Sequence, residues 1–87
     1  MKSLNVVIQN SVGLHARPAT FFIREANNYK STLWVEKGDR RVSAKSFLGV
    51  LSLGIVKDTE ITLIADGVDE DEALEGLARL INNGCEG

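Results

Sequence analysis

Pro18 is the only proline in 87 residues, and it constrains the N-terminal third of the chain more than any other feature. Its ring holds φ at about −65° and removes an N–H, so it is tolerated in the first turn of a helix, where that N–H has no intrahelical partner. Ala19, Phe22, Ile23 and Ala26 follow at i, i+3, i+4 and i+7, the spacing of one helix face. The pattern predicts a helix from about 16 to 28, ending at Asn27-Asn28. His15 then lies at or beside its N-cap, and Gly13 lets the incoming chain turn sharply.

A helix N-terminus presents unpaired N–H groups and a partial positive charge, and phosphate is the anion most often held there. The only histidine of the chain, His15, stands within reach of those donors. The dipole disfavours its cationic form by about 0.3–1 kcal/mol, so the ring is expected to be largely neutral and nucleophilic. Arg17 adds a permanent cation suited to phosphate oxygens. Together, His15, Arg17 and the backbone amides of Ala16 and Arg17 suit a histidine that takes a phosphoryl group onto nitrogen. The plain alternative is a capping or surface histidine, and the residues alone leave it open. No carboxylate at a fixed offset supports a hydrolase triad, and no second histidine or paired cysteine suggests a metal.

The rest of the chain reads as short strands and two further helices. Leu4, Val6 and Ile8 alternate with polar neighbours, a half-buried strand over residues 2–8. Thr32 to Lys37 and Arg40 to Ser43 form a hairpin about Gly38-Asp39, with Trp34 on the more solvated face, covering surface rather than stacking a base. Ser46 is a good N-cap for a short amphipathic segment ending before Gly54. Glu60 to Ala65 forms the fourth strand, with Ile61 and Leu63 inward. Asp69 and Glu72 resemble a capping box, so the acidic run reads as helix capping rather than a metal site. Leu74, Leu77, Ala78 and Ile81 form the core stripe of the last helix, which Asn83-Gly84 ends. The order β-α-β-β-α-β-α with one apolar face per strand implies an α+β fold, a four-stranded antiparallel sheet covered by three helices on one face.

At this length the chain is one domain, residues 1–87. A net charge of −2 with mixed signs argues against general attraction to nucleic acid or membrane surfaces. No apolar run reaches membrane-spanning length, and no secretion signal is evident. One cysteine, Cys85, excludes an internal disulfide and fits a reducing cytosol; with no basic cluster beside it, it reads as incidental rather than redox-active.

Gly13-Leu14-His15-Ala16-Arg17-Pro18-Ala19-Thr20 resembles the active-site segment of the HPr family, the histidine-containing phosphocarriers of the sugar phosphotransferase system. Ala44 to Gly54 is similar to the family's second signature, around a regulatory serine, here Ser46. Ile61 to Gly67 and the acidic helix start resemble its last strand and helix. The resemblance implies an open-faced β-sandwich with the last strand beside the first. It also implies a cytoplasmic, monomeric carrier, not an enzyme and needing no cofactor. Such a carrier would take phosphate from enzyme I, originating in phosphoenolpyruvate, onto Nδ1 of His15 and yield it to IIA domains.

Docking would use Phe21, Phe47, Leu48 and Leu51 with Thr20 and the rim charges Arg17, Arg24 and Lys45, Phe21 being read as an exposed ring beside that rim. Gly49 and the run to Gly54 look like the Gram-positive-type branch, which implies an HPr kinase/phosphorylase acting on Ser46 and a catabolite-control transcription factor as partner. Phe47, Leu48 and Leu51 stand where that branch often carries isoleucine and methionine; leucine for methionine keeps volume with less adaptability. The runner-up is a regulatory binding module controlled at Ser46 and acting on transcription factors or kinases, against which the presence of His15 argues.

Overall fold

The computed structural model describes residues 1–11, 13, 14 and 16–85, with Ala16 described by its backbone alone. Chain order is β1 (Lys2–Val7), α1 (Ala16–Ala26), β2 (Thr32–Lys37), β3 (Arg40–Ser43), α2 (Phe47–Ser52), β4 (Glu60–Asp66) and α3 (Glu70–Asn82). The strands form one antiparallel sheet in the order β1-β4-β2-β3. The last strand therefore lies beside the first, as expected.

Cross-strand partners share a face, and the register separates the two faces cleanly. Leu33 opposes Ala65, Val35 opposes Leu63, and Val6 opposes Ile61. All but the half-buried Val6 are buried, and this face meets the helices. Phe22 from α1, Val50 from α2, and Leu77 and Ile81 from α3 complete one core with Ile8, Leu14 and Ile55. Each such side chain contributes about 1.5–3 kcal/mol by leaving water. The opposite face pairs Trp34 with Ile64, and Asn5 and Glu36 with Thr62. Thr62 Oγ1 donates to Asn5 Oδ1 at 2.8 Å, Arg41 bonds Glu36 at 3.1 Å, and the Arg41 guanidinium lies 5.9 Å from the Trp34 ring centre. Trp34, half-buried, covers Ile64 on this face.

Several local expectations need correction. α1 stops at Ala26 rather than near 28, β1 ends at Val7, and β4 runs one residue further, to Asp66. Leu4 shares a face with the buried Leu63 yet remains 39% exposed, because β1 is an edge strand that the helices only partly cover. Asp69 is the N-cap of α3, but its side chain makes no capping bond. Its carboxylate instead reaches across to the α1–β2 connection. There it accepts the backbone N–H of Lys30 at 2.8 Å and of Ser31 at 2.9 Å, and the Ser31 hydroxyl. Glu70 takes up the local role, accepting the Gly67 N–H at 3.1 Å. Cys85 is buried in the core, and its N–H donates to the Leu80 carbonyl at 2.8 Å.

Candidate phosphoryl-transfer site

α1 opens at Ala16, the residue after His15; His15 itself lies outside the described residues. What is described is the frame on either side. Asn10 Nδ2 donates to the Gly13 carbonyl at 2.8 Å, and the Gly13 N–H returns to the Asn10 carbonyl at 3.2 Å, closing a tight turn. The Leu14 N–H donates to the Ile55 carbonyl at 3.0 Å, and the Leu14 side chain is buried. Gly13 has φ +65°, and a Cβ there would stand 2.3 Å from the Ile55 oxygen and 2.7 Å from Val56 Cα. Glycine is thus required on both backbone and packing grounds. The approach to residue 15 is built directly on the segment that follows α2.

In α1, Pro18 sits in the first turn as its chemistry demands. Ala19, Phe22 and Ala26 are buried and Ile23 is half-buried, so the predicted stripe faces the core. No acidic residue occupies that first turn, whereas three begin α3. The amides at the start of α1, which have no partner within the helix, therefore meet no carboxylate from its first turn. Arg17 is exposed, and its guanidinium lies 5.8 Å from the Phe21 ring centre. A cation–π contact of that kind contributes about 0.5–1 kcal/mol at the surface and holds the guanidinium beside Phe21, one turn along the helix. Phe21 is half-buried rather than fully open. Thr20 and Arg24 are exposed on the same helix, and Arg24 lines an open depression with Phe21, Asn28 and Leu80.

Ser46 caps α2 as its sequence position implies. It has φ −103° and ψ 113°, and its Oγ accepts the Gly49 N–H at 3.1 Å. Beyond it Phe47 is 40% and Leu48 77% exposed, while Leu51 is half-buried. α1 and α2 pack against each other, which brings the two motifs into one region of the molecule. Val56, 53% exposed and against Gly13, extends the apolar surface. No periodicity marked it, because it lies in a connection.

Lys45 departs from its expected place on the charged rim. It is half-buried, and its Nζ donates to the Tyr29 carbonyl at 2.7 Å, strapping the end of α1 to the approach to α2. The C-terminal end of α2 is held by cations that sequence reasoning did not single out. Lys37 Nζ donates to the Leu53 and Gly54 carbonyls at 2.9 and 3.2 Å, and Arg40 to the Ser52 carbonyl at 2.8 Å. Positive charge at that end complements the helix dipole, although Lys and Arg in a hairpin 12–17 residues away carry no local signal for it.

A family model described as "PTS HPr component phosphorylation site" matches residues 2–83. The chain belongs to the HPr family. The HPr-like protein Crh of Bacillus subtilis is 46% identical over 81 residues, 93% of this chain and 95% of Crh. The phosphocarrier protein HPr of Neisseria meningitidis is 44% identical over 82 residues, 94% of this chain and 92% of that protein. The crystal structure of HPr from Thermoanaerobacter tengcongensis superimposes with a TM-score of 0.96 at 42% identity, covering 98% of this chain and 96% of that one. A crystal structure of Bacillus subtilis Crh, named for catabolite repression, shows a swapped dimer; it covers both chains fully, with a TM-score of 0.77 and 42% identity. The HPr fold expected from the motifs, with four antiparallel strands and three helices, is the observed one.

Proposed function

We propose that this chain is a phosphocarrier that accepts a phosphoryl group on His15 from enzyme I and yields it to IIA domains. The observation that carries the reading is the start of α1. A helix free of first-turn carboxylates opens directly after the only histidine, with the exposed Arg17 in the same turn. In the forward step, His15 Nδ1 attacks the phosphorus carried by enzyme I; the new N–P bond forms as the bond to the donor breaks. In the second step a nucleophile of the IIA domain attacks the same phosphorus, and His15 leaves. The amides of Ala16 and Arg17 and the Arg17 guanidinium steady the group without enclosing it. An open site lets two partners reach one nitrogen in turn.

Phe21, Phe47, Leu48, Leu51 and Val56 supply an apolar docking surface, with Thr20, Arg17 and Arg24 at its rim, suited to weak, exchanging complexes. The carrier would work as a cytoplasmic monomer without a cofactor, moving the group without catalysing a turnover of its own. A dimer mass by light scattering would refute the monomer.

A second reading, a module regulated through phosphorylation of Ser46 by an HPr kinase/phosphorylase and read by a catabolite-control transcription factor, is favoured by the exposure and capping position of that serine. Labelling separates the two. With phosphoenolpyruvate and enzyme I the chain should gain an acid-labile, alkali-stable phosphate, absent from His15→Ala and slowed in Arg17→Ala. An unlabelled wild type beside an active enzyme I refutes the carrier. ATP with the kinase should give an acid-stable phosphate lost in Ser46→Ala.

A further inference from the structure

Gly49 touches Ser46 in two ways. Its N–H donates to Ser46 Oγ at 3.1 Å, and a Cβ added to it would lie 3.1 Å from that Oγ and 3.2 Å from Ser46 Cβ. The contact to Ser46 Cβ is closer than the ~3.5–4.0 Å at which non-bonded carbon atoms settle, and the one to Oγ is tight as well. Retreat is limited, because the same Cβ would stand 3.4 Å from Val42 Cβ on β3. Glycine inside a six-residue helix weakens it relative to alanine, so the residue is costly to the helix and helpful to the serine.

The hydrogen bond occupies one lone pair of Ser46 Oγ and leaves its proton and second lone pair for chemistry. In phosphorylation, Oγ attacks the γ-phosphorus of a nucleoside triphosphate bound by the kinase. The Oγ–P bond forms, the bond from that phosphorus to the β–γ bridging oxygen breaks, and the hydroxyl proton passes to a base on the kinase. The incoming group surrounds Oγ with three further oxygens, which need a clear flank.

We propose that Gly49 is a positioning residue for this modification: its amide holds Ser46 Oγ in place and its missing side chain keeps that flank open. The inference rests on the reading of Ser46 as a phosphorylation site. It is tested by labelling wild type, Ser46→Ala, Gly49→Ala and Gly49→Val with the serine kinase and ATP, and in parallel with enzyme I and phosphoenolpyruvate. Gly49→Ala should take up acid-stable phosphate about tenfold more slowly, and Gly49→Val more slowly still. Gly49→Ala should keep the wild-type rate at His15 and stay folded at the labelling temperature, the helix propensity gained offsetting part of the crowding. Acid-stable labelling of Gly49→Ala within about twofold of wild type overturns the inference, as does a parallel loss at both sites with a lowered Tm. A wild type that takes no acid-stable phosphate, or a Ser46→Ala variant that still does, overturns the Ser46 reading itself.

Discussion

Replacing Gly13 by alanine tests the dependence of the site on the segment after α2. At φ +65° an L-residue costs about 1–2 kcal/mol in backbone energy alone. The new Cβ would stand 2.3 Å from the Ile55 oxygen, so the turn must lift, and the bond from the Leu14 N–H to that oxygen is stretched or lost. A typical hydrogen bond contributes about 0.5–1.5 kcal/mol, and the two effects together come to about 1.5–3.5 kcal/mol. For a domain of this size that lowers Tm by about 6–28 °C and, against a total of about 5–15 kcal/mol, leaves it folded at 25 °C. Gly38 supplies the control: its φ is +61°, yet an added Cβ there meets nothing within 4 Å. Gly38→Ala should lose only the backbone share, about 1–2 kcal/mol. Urea unfolding followed by the fluorescence of the single tryptophan, Trp34, measures both, with the slope m unchanged. At 25 °C Gly13→Ala should also accept phosphate from enzyme I more slowly, while kinase labelling of Ser46 stands. A Gly13→Ala loss no larger than that of Gly38→Ala would refute the packing argument.

Other outcomes follow from single groups. The Ser31 hydroxyl and the backbone N–H groups of Lys30 and Ser31 hold the Asp69 carboxyl below its usual range. The bonds it makes therefore stabilise the fold above the unfolded-state value of 3.8 and fade as pH falls through the lower folded value. Asp69→Asn should thus be less stable than wild type at neutral pH, with the gap closing in acid; a gap independent of pH would contradict this. Burial, with the hydrogen bond to Glu25, pushes the Tyr29 hydroxyl up to about 12. Because Tyr29 is the only tyrosine, its ultraviolet titration should show a midpoint near 12 rather than 10, with stability falling as pH rises between them. Burial likewise raises the Cys85 thiol to about 11. Its alkylation at mildly alkaline pH should await unfolding and accelerate through the urea transition; reaction at the rate of a free peptide thiol would refute the burial.

The elements, their order and the two motifs were legible because each rests on near neighbours in the chain. The 3.6-residue stripe of α1, the Gly38-Asp39 hairpin and the Ser46 cap are relations within a few positions, which periodicity and turn chemistry capture. The strand order agreed with the family resemblance, since residue patterns alone do not choose among antiparallel arrangements. Errors gathered where a side chain had a distant partner. Asp69 left its local capping bond for backbone groups 38 and 39 residues away. Lys45 turned from the rim to the Tyr29 carbonyl.

Sequence alone determined that this chain folds as an α+β domain with a histidine at the opening of its first helix and a serine at that of its second. Both are statements about local backbone preference and face. Tertiary structure decided what surrounds them: the Ile55–Val56 shelf that admits only glycine at 13, the cations that close α2, and the space beside Ser46 Oγ. Those depend on where packed elements bring remote atoms together, and hydrophobic burial sets that placement only once the whole core has formed.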